Sequence, residues 1–204
     1  GDGFTVTKGI VADLASSGIG FLAEKALEAV SAIWNLDEAT EEYRESMALL
    51  STAFETAGFE TDTAMQAYRG FYEILGETDT ATEASQLLAS LAESEEDVSK
   101  WVNIAAGVYG TFGDSLPIES LIEAANETAK TGEVTGALAD ALNWAKISEE
   151  DVSKQLSMMA DESDRAQYLM GLLSHTYSDA ADNFYENSQA MIEARDAQME
   201  VDET

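Results

Sequence analysis

A chain of 204 residues can bury one sizeable hydrophobic core or two small ones. Its 45% apolar content argues against intrinsic disorder, although 40 acidic residues against 10 basic ones give a formal net charge of −30. Without cysteine there are no disulfides, thiolate metal sites or cysteine nucleophile, and the scattered Lys and Arg argue against direct nucleic-acid binding or docking to an anionic membrane.

The N-terminal stretch favours a helix after a short lead-in. Residues 1–6 are expected to be flexible, and a helix from about Thr7 to Trp34 follows, weakened in its middle by Gly18 and Gly20. The stretch has no basic leader and charges interrupt its apolar run, so we expect neither a signal peptide nor a transmembrane span. The Gly-Asp-Gly start without an initiator Met suggests a piece of a longer protein.

Three more helices are expected before residue 94, each with apolar residues three to four positions apart. The second helix is capped by Asp37 and ends at Gly58, the third is capped by Thr61 or Asp62 and ends at Gly76, and the fourth begins at Thr80 or a neighbour. Their inward faces are predicted to be Tyr43, Met47, Leu50 and Phe54, then Met65, Tyr68, Phe71, Tyr72 and Leu75, then Ala84, Leu87, Leu88 and Leu91.

The heptapeptide SEEDVSK occurs twice, at Ser94–Lys100 and at Ser148–Lys154. In each copy a Ser followed three residues later by Asp can satisfy the exposed N–H groups of a helix start, so each copy is expected to open a helix. We favour two independent uses of a good helix start, and a decayed duplication of a helix pair is the alternative. The apolar face after the first copy is Trp101, Ile104, Ala105, Val108 and Tyr109.

The segment GVYGTFGDS is interpreted as a turn, because Gly107, Gly110 and Gly113 lie close together and their spacing is not that of a nucleotide-binding loop. The only proline, Pro117, predicts a boundary at Leu116 and a helix from Pro117 that ends at Gly132. A helix with Leu138, Ala141, Leu142 and Ala145 on its inward face follows.

The C-terminal third is expected to hold a short helix from Glu149 to Met159, another from about Ser163 to Ser174, and a long one from about Ser178 to Met199, with 199–204 as a tail. No heptad pattern persists, so a coiled coil is not expected. The predicted fold is all-α, a compact array of roughly eight to nine helices joined by short Gly, Ser, Thr and Asp turns. Residues 7–198 form a single domain in this interpretation, with sub-units 7–93 and 94–198 as an alternative.

No catalytic, cofactor-binding or metal-binding residue is assigned. Forty carboxylates guarantee that some lie in pairs, but no pair is singled out as an acid–base dyad. The single histidine, His175, lacks the second histidine of a zincin helix and the context of a serine triad, and is expected at a helix end in a polar linker. We expect the aromatic residues Tyr68, Phe71, Tyr72, Trp101, Tyr109, Phe112 and Trp144 to be core rather than a ligand platform.

The amino-acid sequence in the middle of the chain resembles that of a known family. GTFGDSLPIESLIEAANETAKTGEVTGALADALNWAKISEED, which ends at Asp151, resembles a segment of the tail tape-measure proteins of siphophages and prophages of Gram-positive bacteria. The resemblance extends to Leu36–Phe59 and Tyr68–Trp101 and ends near ADNFYENSQAMIEARDAQ. The resemblance depends on similar residues in the same order over most of the chain, and no catalytic motif contributes to it.

The resemblance implies a structural protein of the virion tail, located in the tube lumen or at the tip and made in the host cytoplasm. It implies roles in tail assembly, tail-length determination and genome ejection, with tail-tube, tail-tip and tail-assembly chaperone proteins as partners. Proteins of that family set tail length with an extended helical run, whereas this chain has many turns. The turns favour a folded domain with a docking task. The alternative is a stand-alone acidic α-helical interaction module without catalytic activity. An enzyme is not expected.

Overall fold

The computed structural model describes residues 41–203, so the lead-in 1–6, the helix expected from Thr7 to Trp34 and the cap at Asp37 lie outside the described residues. Within 41–203 the chain forms nine α-helices and no strand, which confirms the all-α prediction. The helices are α1 (Glu41–Thr56), α2 (Thr61–Leu75), α3 (Thr78–Leu91), α4 (Glu95–Phe112), α5 (Ile118–Thr131), α6 (Gly136–Trp144), α7 (Glu149–Ser157), α8 (Glu162–Asn187) and α9 (Gln189–Glu203), with a 3₁₀ turn at Gly113–Ser115.

The helices group into two compact units. The described residues of unit 1 are 41–89 and 189–203, which include α1, α2, most of α3 and α9. Unit 2 is Ser90–Ser188 and contains α4 to α8. The single domain 7–198 and its division into 7–93 and 94–198 stay predictions. The expected tail 199–204 continues α9 as far as Glu203, and Met199 is buried.

Unit 1 is built on the packing of α1 and α9 against α2. The inward face predicted for α1 is buried, with Met47, Leu50 and Phe54 fully inaccessible to solvent. The rings of Tyr43 and Tyr68 meet edge to face with centroids 5.8 Å apart, and this joins α1 to α2 through aromatic contact. These contacts follow from the helical period of the apolar residues.

Glycine ends α2 as its sequence predicts. Gly76 adopts the left-handed conformation (φ 73°) and its N–H donates to the carbonyl oxygen of Tyr72, so the last turn of the helix is satisfied. The start of this helix differs by one residue from the prediction: Glu60 occupies the N-cap position and Thr61 is the first helical residue. Glu60 makes no side-chain capping bond.

Unit 2 is organised around α8, which packs on α4 and α5, while α6 packs on α5 and α7 on α6. Both copies of SEEDVSK open helices as predicted: Ser94 Oγ accepts from the Asp97 N–H and Ser148 Oγ accepts from the Asp151 N–H, each at 3.2 Å. Helix α5 begins at Ile118 rather than Pro117, which takes the N-cap position, and it ends at Gly132 as predicted.

The glycine-rich segment is helical, so its interpretation as a turn is wrong for Gly107 and Gly110. Gly107 is buried where α4 crosses α8, and a Cβ at this position would lie 2.9 Å from Cβ of Tyr177 and closer still to the Tyr177 carbonyl oxygen. A Cβ at Gly110 would lie 3.2 Å from Cβ of Phe184. The two glycines let the backbones approach, and this packing outweighs the low helix propensity of glycine.

The break expected between Ser174 and Ser178 is also wrong, because α8 is continuous from Glu162 to Asn187. The side chain of His175 is exposed within this helix rather than at its end. Leu173, Tyr177 and Ala181 are buried on the face that α8 turns toward the rest of unit 2, and this packing overrides the weak helix propensity of the SHTYSD stretch.

Aromatic burial follows the prediction in part. Tyr68, Phe71, Tyr72 and Trp101 are in the core, whereas Trp144 is 63% exposed at the end of α6. One edge of Trp144 contacts the ring of Phe112, with centroids 5.7 Å apart. The helical period of α6 puts Leu138, Ala141 and Leu142 inward and turns Trp144 outward.

Candidate functional site

No site residue is predicted from the sequence, so the candidate sites come from the structure. Two polar clusters involve carboxyl groups removed in part from solvent. One lies in unit 2, where the α3–α4 connection meets the start of α8. The other lies in unit 1, where α9 packs on α2.

The cluster in unit 2 is a hydrogen-bonded network, which we call the α8-start network, formed by Glu93, Asp97, Ser163 and Gln167. Asp97 is 5% exposed, and its Oδ2 accepts from the Glu93 N–H at 2.9 Å and from Gln167 Nε2 at 2.7 Å. The carboxylate of Glu93 accepts from Ser163 Oγ and from Gln167 Nε2. Asp97, in the first turn of α4, is therefore bonded to α8 as well as to the segment before its own helix.

A cavity of about 320 Å³ lies beside this network, lined by Ser90, Glu93, Asn126, Glu162 and Ser163 among others. Asn126 Nδ2 donates to Ser90 Oγ at 2.6 Å, and Ser163 donates to Glu93. The first pair joins α5 to the end of α3, and the second joins α8 to the α3–α4 connection. Among the described residues, no histidine or lysine lines the cavity.

The cluster in unit 1 consists of Glu73 on α2 and of Arg195 and Asp196 on α9. Arg195 Nη1 donates to the carbonyl oxygens of Glu73 at 2.8 Å and of Ile74 at 2.5 Å, which are among the last carbonyls of α2. These carbonyls have no partner inside their own helix, so the guanidinium acts as a C-terminal cap contributed by another helix.

The carboxyl groups of Glu73 and Asp196 face each other beside this cap. Burial, followed by the hydrogen bond to Asp196 and its negative charge, raises the pKa of Glu73 from 4.5 to about 7, while Arg69 acts in the opposite direction. A carboxyl group that holds its proton near neutral pH can donate a hydrogen bond to a carboxylate. A hydrogen bond of this kind would join α2 and α9.

A second arginine caps helix ends in unit 2. Arg165 Nε donates to the Ala129 carbonyl at 2.5 Å, Nη2 to the Lys130 carbonyl at 3.2 Å, and Nη1 to the Met159 carbonyl at 2.9 Å. It therefore serves the last turn of α5 and the segment after α7. Arg165 and Arg195 are both half-buried, and both bind carbonyls at helix ends.

The pairing of Glu73 with Asp196 was missed at the sequence level. The available signal was Arg195, which lies on the apolar stripe of α9 between Ile192 and Met199. A charged residue on an apolar stripe indicates a buried partner. Which residues supply that partner depends on tertiary packing.

Among residues 41–203 no group of three or more His, Asp and Glu side chains is arranged to hold a metal ion. No helix in the same range is long and apolar enough to cross a membrane. Comparison of the chain with family models, with curated proteins and with solved structures finds no match.

Proposed function

We propose that the chain is a structural, non-catalytic domain of a phage tail tape-measure protein, where it takes part in tail assembly and tail-length determination and leaves with the genome. The observation that carries the proposal is the ordered resemblance from Leu36 to Asp151, within which α1 to α6 and the start of α7 lie. The proposed location is the tail lumen or tip. The proposed partners are tail-tube, tail-tip and tail-assembly chaperone proteins.

Within that role we assign the domain a docking task rather than a share of the ruler. A single helix of about 160 residues would span about 240 Å at 1.5 Å per residue. Instead, Tyr177 Oη donates to the Ala141 carbonyl at 2.6 Å, and Arg165 reaches the end of α5, so helices far apart in sequence are bound together. Helices packed in this way offer a surface for binding a partner. They do not provide the extended length that would set the length of a tail tube.

Charge indicates the kind of surface that this domain would meet. The net charge of −30 favours partners with basic faces and opposes capture of DNA. Attraction between exposed charges is screened over about 10 Å at 0.1 M salt, so binding to such a partner should weaken as salt is raised.

The first test is the location of the chain in phage particles. Antibodies against the purified chain are applied to virions of the phage or prophage that encodes it, after separation of tails from capsids. We expect the chain in the tail fraction, and we expect salt-sensitive binding of the purified chain to tube, tip or chaperone proteins. Complete virions without the chain would refute the tail assignment and favour the stand-alone interaction module.

The second test separates docking from measuring. A second copy of residues 41–203 is inserted in tandem into the parent protein, and tail lengths are measured by electron microscopy. A ruler segment would lengthen the tail by about 240 Å, at 1.5 Å per helical residue. A folded docking domain leaves the length close to that of the parent phage, and the full increment would refute the docking task.

A further inference from the structure

The contact between α9 and α2 in unit 1 depends on a few polar groups. Arg195 caps the end of α2 and lies against Gly76, where a Cβ would come within 2.7 Å of Arg195 Nε. Met199, one turn further along α9, is 1% exposed. The position of Arg195 fixes that of its neighbour Asp196, and this brings the Asp196 carboxyl to Glu73.

Two carboxylates in this position would repel each other because both are negatively charged. Neither of them could donate a hydrogen bond to the other. The Oδ1 atom of Asp196 is buried and has no hydrogen-bond partner among the described residues, so this oxygen lacks a donor. One proton shared with Glu73 removes the repulsion and supplies a donor. Burial and Asp196 together raise the pKa of Glu73 to about 7, which puts this proton in the physiological range.

The other charged groups around Glu73 come from its own helix and from both neighbours. Arg69 on α2 lowers the pKa of Glu73, and Arg195 on α9 bonds to backbone carbonyls of α2. Helix α1, which also packs on α2, carries Arg44, Glu45 and Glu55, and Glu55 accepts a hydrogen bond from the Thr61 hydroxyl.

We propose that the docking of α9 on α2 is a pH-dependent contact, closed by a proton shared between Glu73 and Asp196 and loosened when that proton leaves. The direction follows from linkage. A carboxyl whose pKa is higher in the docked state than in the undocked state binds more protons when docked. The docked state is therefore favoured fully below pH 4.5, and the advantage is lost as the pH rises through about 7.

The size of the effect is bounded by the same shift. A difference between 4.5 and about 7 corresponds to a change of up to about 300-fold in the docking equilibrium, since each pKa unit is tenfold. Partial solvation of Glu73 reduces this, and we expect a change on the order of 10- to 100-fold.

The test is amide hydrogen exchange of the purified 204-residue chain between pH 5.5 and pH 8.5, corrected for the intrinsic pH dependence of exchange. We expect protection of α9 to fall by about 10- to 30-fold over this range, because a carboxyl with a pKa of about 7 realises only about 30-fold of the full change above pH 5.5. Acidification also relieves the general repulsion of an acidic chain, so α5 in unit 2 serves as the internal reference and should change much less.

Substitutions distinguish the shared proton from other pH effects. Glu73→Gln keeps a donor at the same place without a titrating group, and we expect protection of α9 to become nearly independent of pH. The matched control is Glu77→Gln, at an exposed position just after Gly76, which should keep the wild-type profile. Asp196→Asn removes the negative charge of the other carboxyl group. This variant replaces Glu73→Gln in the experiment if Glu73→Gln fails to fold.

A wild-type chain whose α9 is equally protected at pH 5.5 and pH 8.5 would overturn the proposal. So would a Glu73→Gln or Asp196→Asn variant that keeps the full pH-dependent loss. Carbon-13 NMR of the glutamate carboxyls gives a third readout, and a Glu73 carboxyl that titrates with its usual pKa would also overturn the proposal.

Discussion

The close approach of α4 and α8 at Gly107 leads to a prediction of defined sign and size. In the Gly107→Ala variant the new methyl would lie 2.9 Å from Cβ of Tyr177 and 3.2 Å from the backbone nitrogen of Ala181, so the two helix backbones must move apart. Overpacking of this kind costs up to about 3 kcal/mol, while replacement of glycine by alanine in a helix gains about 1 kcal/mol. We expect a net loss of about 2 kcal/mol, which lowers Tm by about 4–8 °C for a chain of this length.

The control lies in the partner helix. Gly171 is an exposed residue inside α8, and a Cβ there meets no atom within 4 Å. Gly171→Ala should therefore stabilise the protein by up to about 1 kcal/mol. Denaturant unfolding is followed by tryptophan fluorescence and circular dichroism, and Trp101 and Trp144 both report on unit 2. A Gly107→Ala variant as stable as the wild type would refute the packing argument, whatever Gly171→Ala does.

Three further predictions concern hydrogen bonds in unit 2. Tyr177→Phe leaves the Ala141 carbonyl without the bond that the phenol donates, and we expect a loss of about 1–3 kcal/mol in denaturant unfolding. Since burial raises the pKa of Tyr177 to about 12, the wild type should also lose stability as the pH rises above 10, and the variant should lose less. Arg165→Ala removes the cap from the end of α5 and should cost about 2–3 kcal/mol, with faster amide exchange at that end. The two SEEDVSK copies form a matched pair: Asp97→Ala should cost about 2 kcal/mol and Asp151→Ala about 0.5 kcal/mol, and equal costs would contradict the role of the α8-start network.

Local signals in the sequence identified most helix boundaries, because those boundaries depend on neighbouring residues. Ser94 and Ser148 cap helices, and Gly76 and Gly132 end them in the left-handed conformation. These features need only the chemistry of a few adjacent residues. The apolar face of α1 followed equally well from periodicity, whereas on α2 the buried residue is Ile74 and the predicted Leu75 is half-buried.

The errors arose where a partner helix decides the outcome. Glycine favours a turn by local propensity, but Gly107 lies in a helix because Tyr177 approaches it from α8. The local sequence does not distinguish a glycine in a turn from a glycine where two helices cross. Only the position of α8 does. The continuous helix through His175 has the same cause, since burial of Leu173 and Ala181 outweighs weak local propensity.

The candidate sites were harder to predict from the sequence than the helices were. SEEDVSK predicts two equal caps, yet Asp97 is buried and Asp151 is exposed, because only the first copy meets Gln167. The pairing of Glu73 with Asp196 joins residues from opposite parts of the chain. Forty carboxylates offer too many combinations for spacing alone to select this one.

The two clusters show how a strongly acidic chain can bring carboxyl groups into its interior. Asp97 is supplied with fixed N–H donors, from the Glu93 backbone and the Gln167 side chain, and these donors are present at any pH. Asp196 instead faces a second carboxyl, and Arg195 beside it is occupied by the carbonyls of α2. A proton on Glu73 supplies a donor there, and that proton can leave. The donors to Asp97 do not titrate, whereas the proposed contact of α9 with α2 depends on a proton, and the hydrogen exchange of α5 and α9 measures that difference directly.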